Sequence, residues 1–99
     1  ARHTEERIAV FEPLVSQRKH HRIRFKYVKS LWGSCTTTGN LTFNLRLVHY
    51  PPEIIDYVVI HELSHLTHHN HSKVFWNLVR THYPEVTEAR RILKESRFG

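Results

Sequence analysis

The chain holds one cysteine, Cys35, and no methionine. A single cysteine excludes an intrachain disulfide, so a domain of 99 residues must be held by its core or by a bound metal. There are only three glycines, and no low-complexity segment, long linker or internal repeat interrupts the chain. The apolar run Val58-Val59-Ile60 is far too short to span a bilayer. The opening residues Ala1-Arg2-His3-Thr4-Glu5-Glu6 are polar and charged, unlike a secretory signal. A soluble, cytoplasmic chain with no membrane partner is the expectation. Residues 1–99 read as one domain with one modest core. The chain does not begin with methionine, which leaves room for a longer parent.

Charge and histidine are what the chain has in excess. Fifteen Lys and Arg against nine Asp and Glu give a net charge of +6. Much of the basic charge falls in Arg18-Lys19-His20-His21-Arg22 and at Arg24, Lys26 and Lys29. Segment 18–29 could meet nucleic acid or another acidic partner, but a solvated basic face is the plainer reading. Ten histidines are present, and five of them lie between positions 61 and 71. That concentration raises interest in a metal and equally raises the frequency of accidental metal motifs, so context must decide.

Periodicity supplies the context. Residues 4–20 read as a helix with Thr4 as cap and Ile8, Phe11, Leu14 and Val15 at helical spacing, although Pro13 should kink or divide it. Residues 22–29 and 41–47 alternate apolar and polar as strands do, and are expected to pair antiparallel across turn chemistry at Gly33 and Thr36-Thr37-Thr38-Gly39-Asn40. Pro51-Pro52 opens a helix running from Glu53 to about His68. Ser72 caps the next helix, carrying Val74, Phe75, Leu78 and Val79. Pro84-Glu85 begins the last, with Val86, Ala89, Ile92 and Leu93 apolar and Lys94 and Arg97 late, as the helix dipole favours. The order is helix, two strands and three helices: a small α+β domain.

On the middle helix stands His61-Glu62-Leu63-Ser64-His65. His61 and His65 lie one turn apart and point the same way, so both imidazoles can hold one zinc ion. Glu62 sits beside them, where a carboxylate can accept a proton from water activated by the metal. The pair borders an apolar stripe rather than facing open solvent. Four residues compete as third ligand. A continued helix would align His61, His65 and His68, with the outer two about 10 Å apart, a poor set for a tetrahedral ion. Asn70 readily ends a helix, so His71 beyond the turn is preferred over His68, His69 and Glu85. The same histidine spacing occurs in metzincins, but those need a glycine where His68 stands and a methionine turn, and this chain has no methionine.

Four ordered blocks resemble the YgjP-like metallopeptidase domain, a family related to the SprT-like and WLM zinc proteases. They are Leu31-Trp32-Gly33-Ser34-Cys35, Leu41 to Leu47, Ile55 to Leu66, and Asn70-His71-Ser72-Lys73-Val74-Phe75-Trp76. The resemblance spans about residues 22–95. It implies one Zn2+ held by His61, His65 and His71, with Glu62 as catalytic base. It also implies a minimal zincin-like fold, a short antiparallel sheet packed on the active-site helix with further C-terminal helices. The expected activity is a zinc-dependent metallopeptidase hydrolysing peptide bonds of a peptide or protein substrate. The alternative is a nucleic-acid-associated module whose metal is structural or vestigial.

Other residues have readings of their own. Trp32 and Gly33 are expected in a packed turn, and Cys35 as a small buried side chain rather than a ligand. Strand 41–47 is a candidate edge for an extended substrate, with Asn44 and Arg46 as substrate contacts or as outward polar positions. Tyr57, His69 and His49 are candidate donors to a developing oxyanion. Asp56 and Ser72 could orient a ligand imidazole.

Overall fold

The computed structural model describes residues 2–95. Helix α1 (Arg2–Val15) leads to strand β1 (Arg22–Lys26), then β2 (Gly33–Cys35) and β3 (Asn40–Asn44). A 3-10 helix over Leu45–His49 precedes α2 (Pro52–Ser64), α3 (Lys73–His82) and α4 (Val86–Glu95). The α+β class and the order of helices follow the sequence expectation. Arg97, expected near the end of the last helix, lies outside the described residues.

The sheet departs from that expectation. β3 is central, in the order β1-β3-β2, and β1 pairs with it in parallel, aligning Ile23 with Leu41 and Phe25 with Phe43. The sheet is therefore mixed, not antiparallel. Its antiparallel partner is β2, a three-residue strand that aligns Gly33 with Phe43 and Cys35 with Leu41. The cause is local. Thr36 N–H donates to Asn40 O and Gly39 N–H donates to Thr36 O, closing a tight hairpin with Gly39 at φ 89°. A left-handed position there suits glycine. The hairpin gives one side of β3 to β2, which leaves β1 the other.

Four elements end earlier than periodicity predicts, among them β1, which stops at Lys26 rather than residue 29. α1 stops at Val15 rather than residue 20, two residues after Pro13 removes a backbone donor. The following turn is tied down by Glu12, whose Oε2 accepts from His20 N–H at 2.7 Å. Arg18 donates to Leu66 O and Thr37 O, lashing this turn to the end of α2 and to the hairpin. β3 stops at Asn44 instead of residue 47. The Asn44 amide donates to Val28 O and Leu31 O, and its Oδ1 accepts from Arg46 N–H, starting the 3-10 helix. Asn44 is thus a buried structural clamp with its hydrogen bonds spent inside the chain.

The core gathers around α2, which is buried nearly all round through Ile54, Ile55, Val58, Val59, Ile60 and Leu63. Ile8 and Val15 of α1, Leu41 and Phe43 of β3, Phe75 and Val79 of α3, and Val86, Ala89 and Leu93 of α4 complete it. Pro52 occupies the first turn of α2 and Ser72 caps α3, its hydroxyl accepting from Phe75 N–H. α2 ends at Ser64, not His68. Ser64 Oγ donates back to Ile60 O, and His65 N–H and Leu66 N–H make tightened three-residue bonds to Glu62 O and Leu63 O. The chain then turns, which removes the collinear arrangement of His61, His65 and His68.

Candidate metal centre

α2 delivers His61 and Glu62 from its last turn, and His65 stands at its C-cap. The turn beyond returns His71 toward them, just before Ser72 starts α3. Ring centroids of His61, His65 and His71 lie 5.0, 5.4 and 4.8 Å apart in pairs. One nitrogen from each falls within 4.8 Å of the others. His65 Nε2 and His71 Nε2 are 3.2 Å apart. Two nitrogens on one tetrahedral zinc at 2.0–2.1 Å would be separated by about 3.3 Å. The donor set fits such an ion.

Each imidazole is held in place. His65 Nδ1 lies 2.9 Å from His68 O, so Nδ1–H donates there and Nε2 is left as the free lone pair. His68 therefore contributes a backbone carbonyl, and its side chain is not part of the cluster. Phe75, fully buried, stacks on His65 at 4.2 Å and meets His61 and His71 edge-on. Trp76 stacks on His71 at 5.6 Å. Burial pushes the His65 pKa down. Burial, then the neighbouring His61, does the same to His71. Both effects favour neutral imidazoles, the form a cation needs.

Glu62 is 4% exposed. Its Oε2 lies 3.0 Å from His61 Nδ1, and its Oε1 is buried without a hydrogen-bond partner. A buried carboxylate oxygen left unpaired is costly, and such a group suits a cation or a water held beside it. Gly33 of β2 forms the other wall: a Cβ placed there would stand 2.9 Å from Glu62 Cγ. The centre opens into a cleft of about 550 Å³ whose lining includes Trp32, Gly33, Tyr57, Trp76 and Arg90.

The remaining sequence candidates separate sharply. Tyr57 lines the cleft, 5.8 Å from His61 ring to ring, and burial pushes its hydroxyl pKa up to about 12. It remains a neutral donor. His69 and His49 are exposed and stand outside the cleft lining. Asn44 is internal, as described, and Arg46 rests over Tyr27 at 5.4 Å; neither lines the cleft. β3 is hydrogen-bonded on both sides, so it offers no edge to a substrate. Asp56 pairs with Arg7 of α1 through bonds of 2.7 and 3.1 Å instead of orienting an imidazole. Glu85 is exposed and absent from the cluster. Trp32 packs edge-on against Tyr50, as a turn residue should, and also faces the cleft. Cys35 is a half-buried thiol whose pKa burial, then Glu62, raises to about 11. Sequence reasoning missed Arg90, which lines the cleft from α4 with its guanidinium over Trp76. Helical spacing marks it only as a polar position.

Three convergent imidazoles, with a buried carboxylate between them and a sheet edge, are the equipment of a metal-dependent hydrolase. The chain belongs to the YgjP-like metallopeptidase domain family, whose pattern matches residues 1–96. Among solved structures, the metallopeptidase zymogen abylysin of Pyrococcus abyssi superposes with a TM-score of 0.82 at 22% identity, covering 94% of both chains. The metallopeptidase zymogen jannalysin of Methanocaldococcus jannaschii gives 0.77 at 22% identity, over 93% of this chain and 95% of that one. Both share this fold. No curated protein sequence gives a significant match. Among the described residues, no helix is long and apolar enough to cross a membrane.

Proposed function

We propose that this metallopeptidase domain is a zinc peptidase that holds one ion through His61, His65 and His71 and uses Glu62 as general base. The observation that carries the reading is the pairing of a three-imidazole cluster with a buried carboxylate oxygen that has no partner. Bound zinc would polarise the scissile carbonyl and acidify a water. Three neutral imidazoles are donors that suit zinc and leave a position for substrate.

The chain's own groups then have defined tasks. Glu62 Oε1 accepts a proton from the attacking water and passes it to the leaving amine. Oε2, on His61 Nδ1, keeps the carboxylate aimed. The Tyr57 hydroxyl, neutral across the working range, donates to the oxyanion. An extended substrate adds to β2, an edge strand beside Glu62, rather than to β3.

Glu62→Gln should retain one zinc per chain and lose turnover of an unfolded protein substrate; undiminished hydrolysis would remove Glu62 from the reaction. His71→Ala should lose zinc at neutral pH, with metal analysis as the readout, while His68→Ala and His69→Ala keep it. Retention by His71→Ala alone would overturn the ligand set.

Nucleic acid as a partner has weaker support. Within the basic segment Arg18 is bonded to backbone carbonyls and His20 to Glu12, which leaves Arg22, Arg24 and Lys26 exposed on β1.

A further inference from the structure

One wall of the cleft has no part in this chemistry. α4 contributes Arg90, Leu93 and Lys94 to the lining, and among the described lining residues Glu62 is the only one with a carboxylate. Arg90 and Lys94 are four apart on one helix, so their side chains share a face. Neither has a carboxylate partner among the described residues. The arginine ion pairs found there join Arg7 to Asp56 and Arg91 to Glu88.

Unpaired surface cations are common, but Arg90 lines the cleft and lies against an aromatic ring of the candidate centre. Its guanidinium lies 5.0 Å from the Trp76 ring centre, and the same indole stacks on His71. One indole thus touches both this cation and a metal-ligand candidate. A cation–π contact engages the charge of a guanidinium without using up its N–H donors, and arginine can give those to a carboxylate bidentately. Arg80 lies over the same ring at 5.7 Å, adding positive field without joining the lining.

We propose that Arg90 and Lys94 form a carboxylate subsite of the cleft. The substrates cleaved here then carry an acidic side chain or a chain-terminal carboxylate close to the scissile bond. The inference rests on the peptidase reading, and it adds the substrate class.

The test separates binding from turnover. Zinc-loaded Glu62→Gln protein is titrated with peptides blocked at both ends that differ only in Glu against Gln at one position, following tryptophan fluorescence. A second pair, with neutral side chains, differs only in a free or amidated C-terminus. At least one acidic member should bind about tenfold tighter than its neutral twin, the scale of one charge-assisted pair. Tighter binding of the Glu peptide assigns the subsite to side chains; tighter binding of the free acid assigns it to chain ends. Adding Arg90→Gln should abolish the difference, whereas Arg91→Gln, on a residue paired with Glu88, should preserve it. Arg90→Glu should transfer the preference to a Lys peptide. Equal binding within both pairs, or a preference that survives Arg90→Gln with Lys94→Gln, overturns the subsite. Wild-type protein that binds acidic peptides as described but cleaves no peptide overturns the peptidase reading and leaves the subsite standing. Wild-type protein that cleaves acidic and neutral peptides equally well does the reverse.

Discussion

The two edges of the sheet flank the same central strand and have opposite characters. On β1, Ile23 and Phe25 turn inward while Arg22, Arg24 and Lys26 stand exposed between them. On β2 there are only Gly33, Ser34 and Cys35, all small, uncharged and half-buried. A row of cations on an edge strand resists pairing with another chain. A strand of small residues offers no such defence, and glycine and serine are poor strand formers. β2 is nevertheless the edge beside Glu62, the proposed general base, and its backbone comes close to that side chain. One sheet thus covers one edge with charge and leaves the other bare beside the proposed centre.

The contrast fails most visibly if β2 tolerates a side chain. Gly33→Ala puts a methyl 2.9 Å from Glu62 Cγ and 3.0 Å from Oε2, so one of the two must move. A displacement near 1 Å of a general base costs about a hundredfold in rate. The expected variant keeps its zinc and its melting temperature and loses about that factor in kcat/KM. A wild-type rate would mean that Glu62 does not depend on the bare edge.

Next in size is the clamp that ends the central strand. Asn44→Ala orphans Val28 O and Leu31 O and frees the loop between β1 and β2. A loss of about 2–3 kcal/mol is expected by urea unfolding, since two part-buried carbonyls lose their donor and a cap goes with it. A change under about 0.5 kcal/mol would show that the loop needs no anchor.

Asn44 also shows where sequence reading stops. Helix starts at Pro51-Pro52 and Ser72, and the pairing of His61 with His65, are legible because caps and helical spacing are local. His71 is legible because a turn signal, Asn70, precedes it. Alternation gives the face of a strand but not its direction, so β1 reads the same whether parallel or antiparallel to β3. β2 is too short to show a period at all. Asn44, Asp56 and Arg90 share a further reason. Their partners are Leu31 and Val28, Arg7, and Trp76, brought together by packing of separate elements. No local pattern announces such meetings.

The smallest effect concerns the charged edge. Replacing Arg22, Arg24 and Lys26 together by Thr keeps the inward Ile23 and Phe25 and their alignment with Leu41 and Phe43. Stability should change by no more than about 0.5 kcal/mol, as surface substitutions usually do. What should change is association: light scattering at high protein concentration should rise, because the edge loses its repulsion. The same variant weighs the nucleic-acid reading. If the row contacted phosphates, DNA affinity would fall steeply with salt, and the triple variant would flatten that slope by about 2.7, or 0.9 for each lost contact. Increased self-association with no salt-dependent DNA binding in the parent would assign the row to edge protection. A flattened slope without self-association would turn β1 into a second working edge, and the asymmetry of the sheet would lie in what each edge binds.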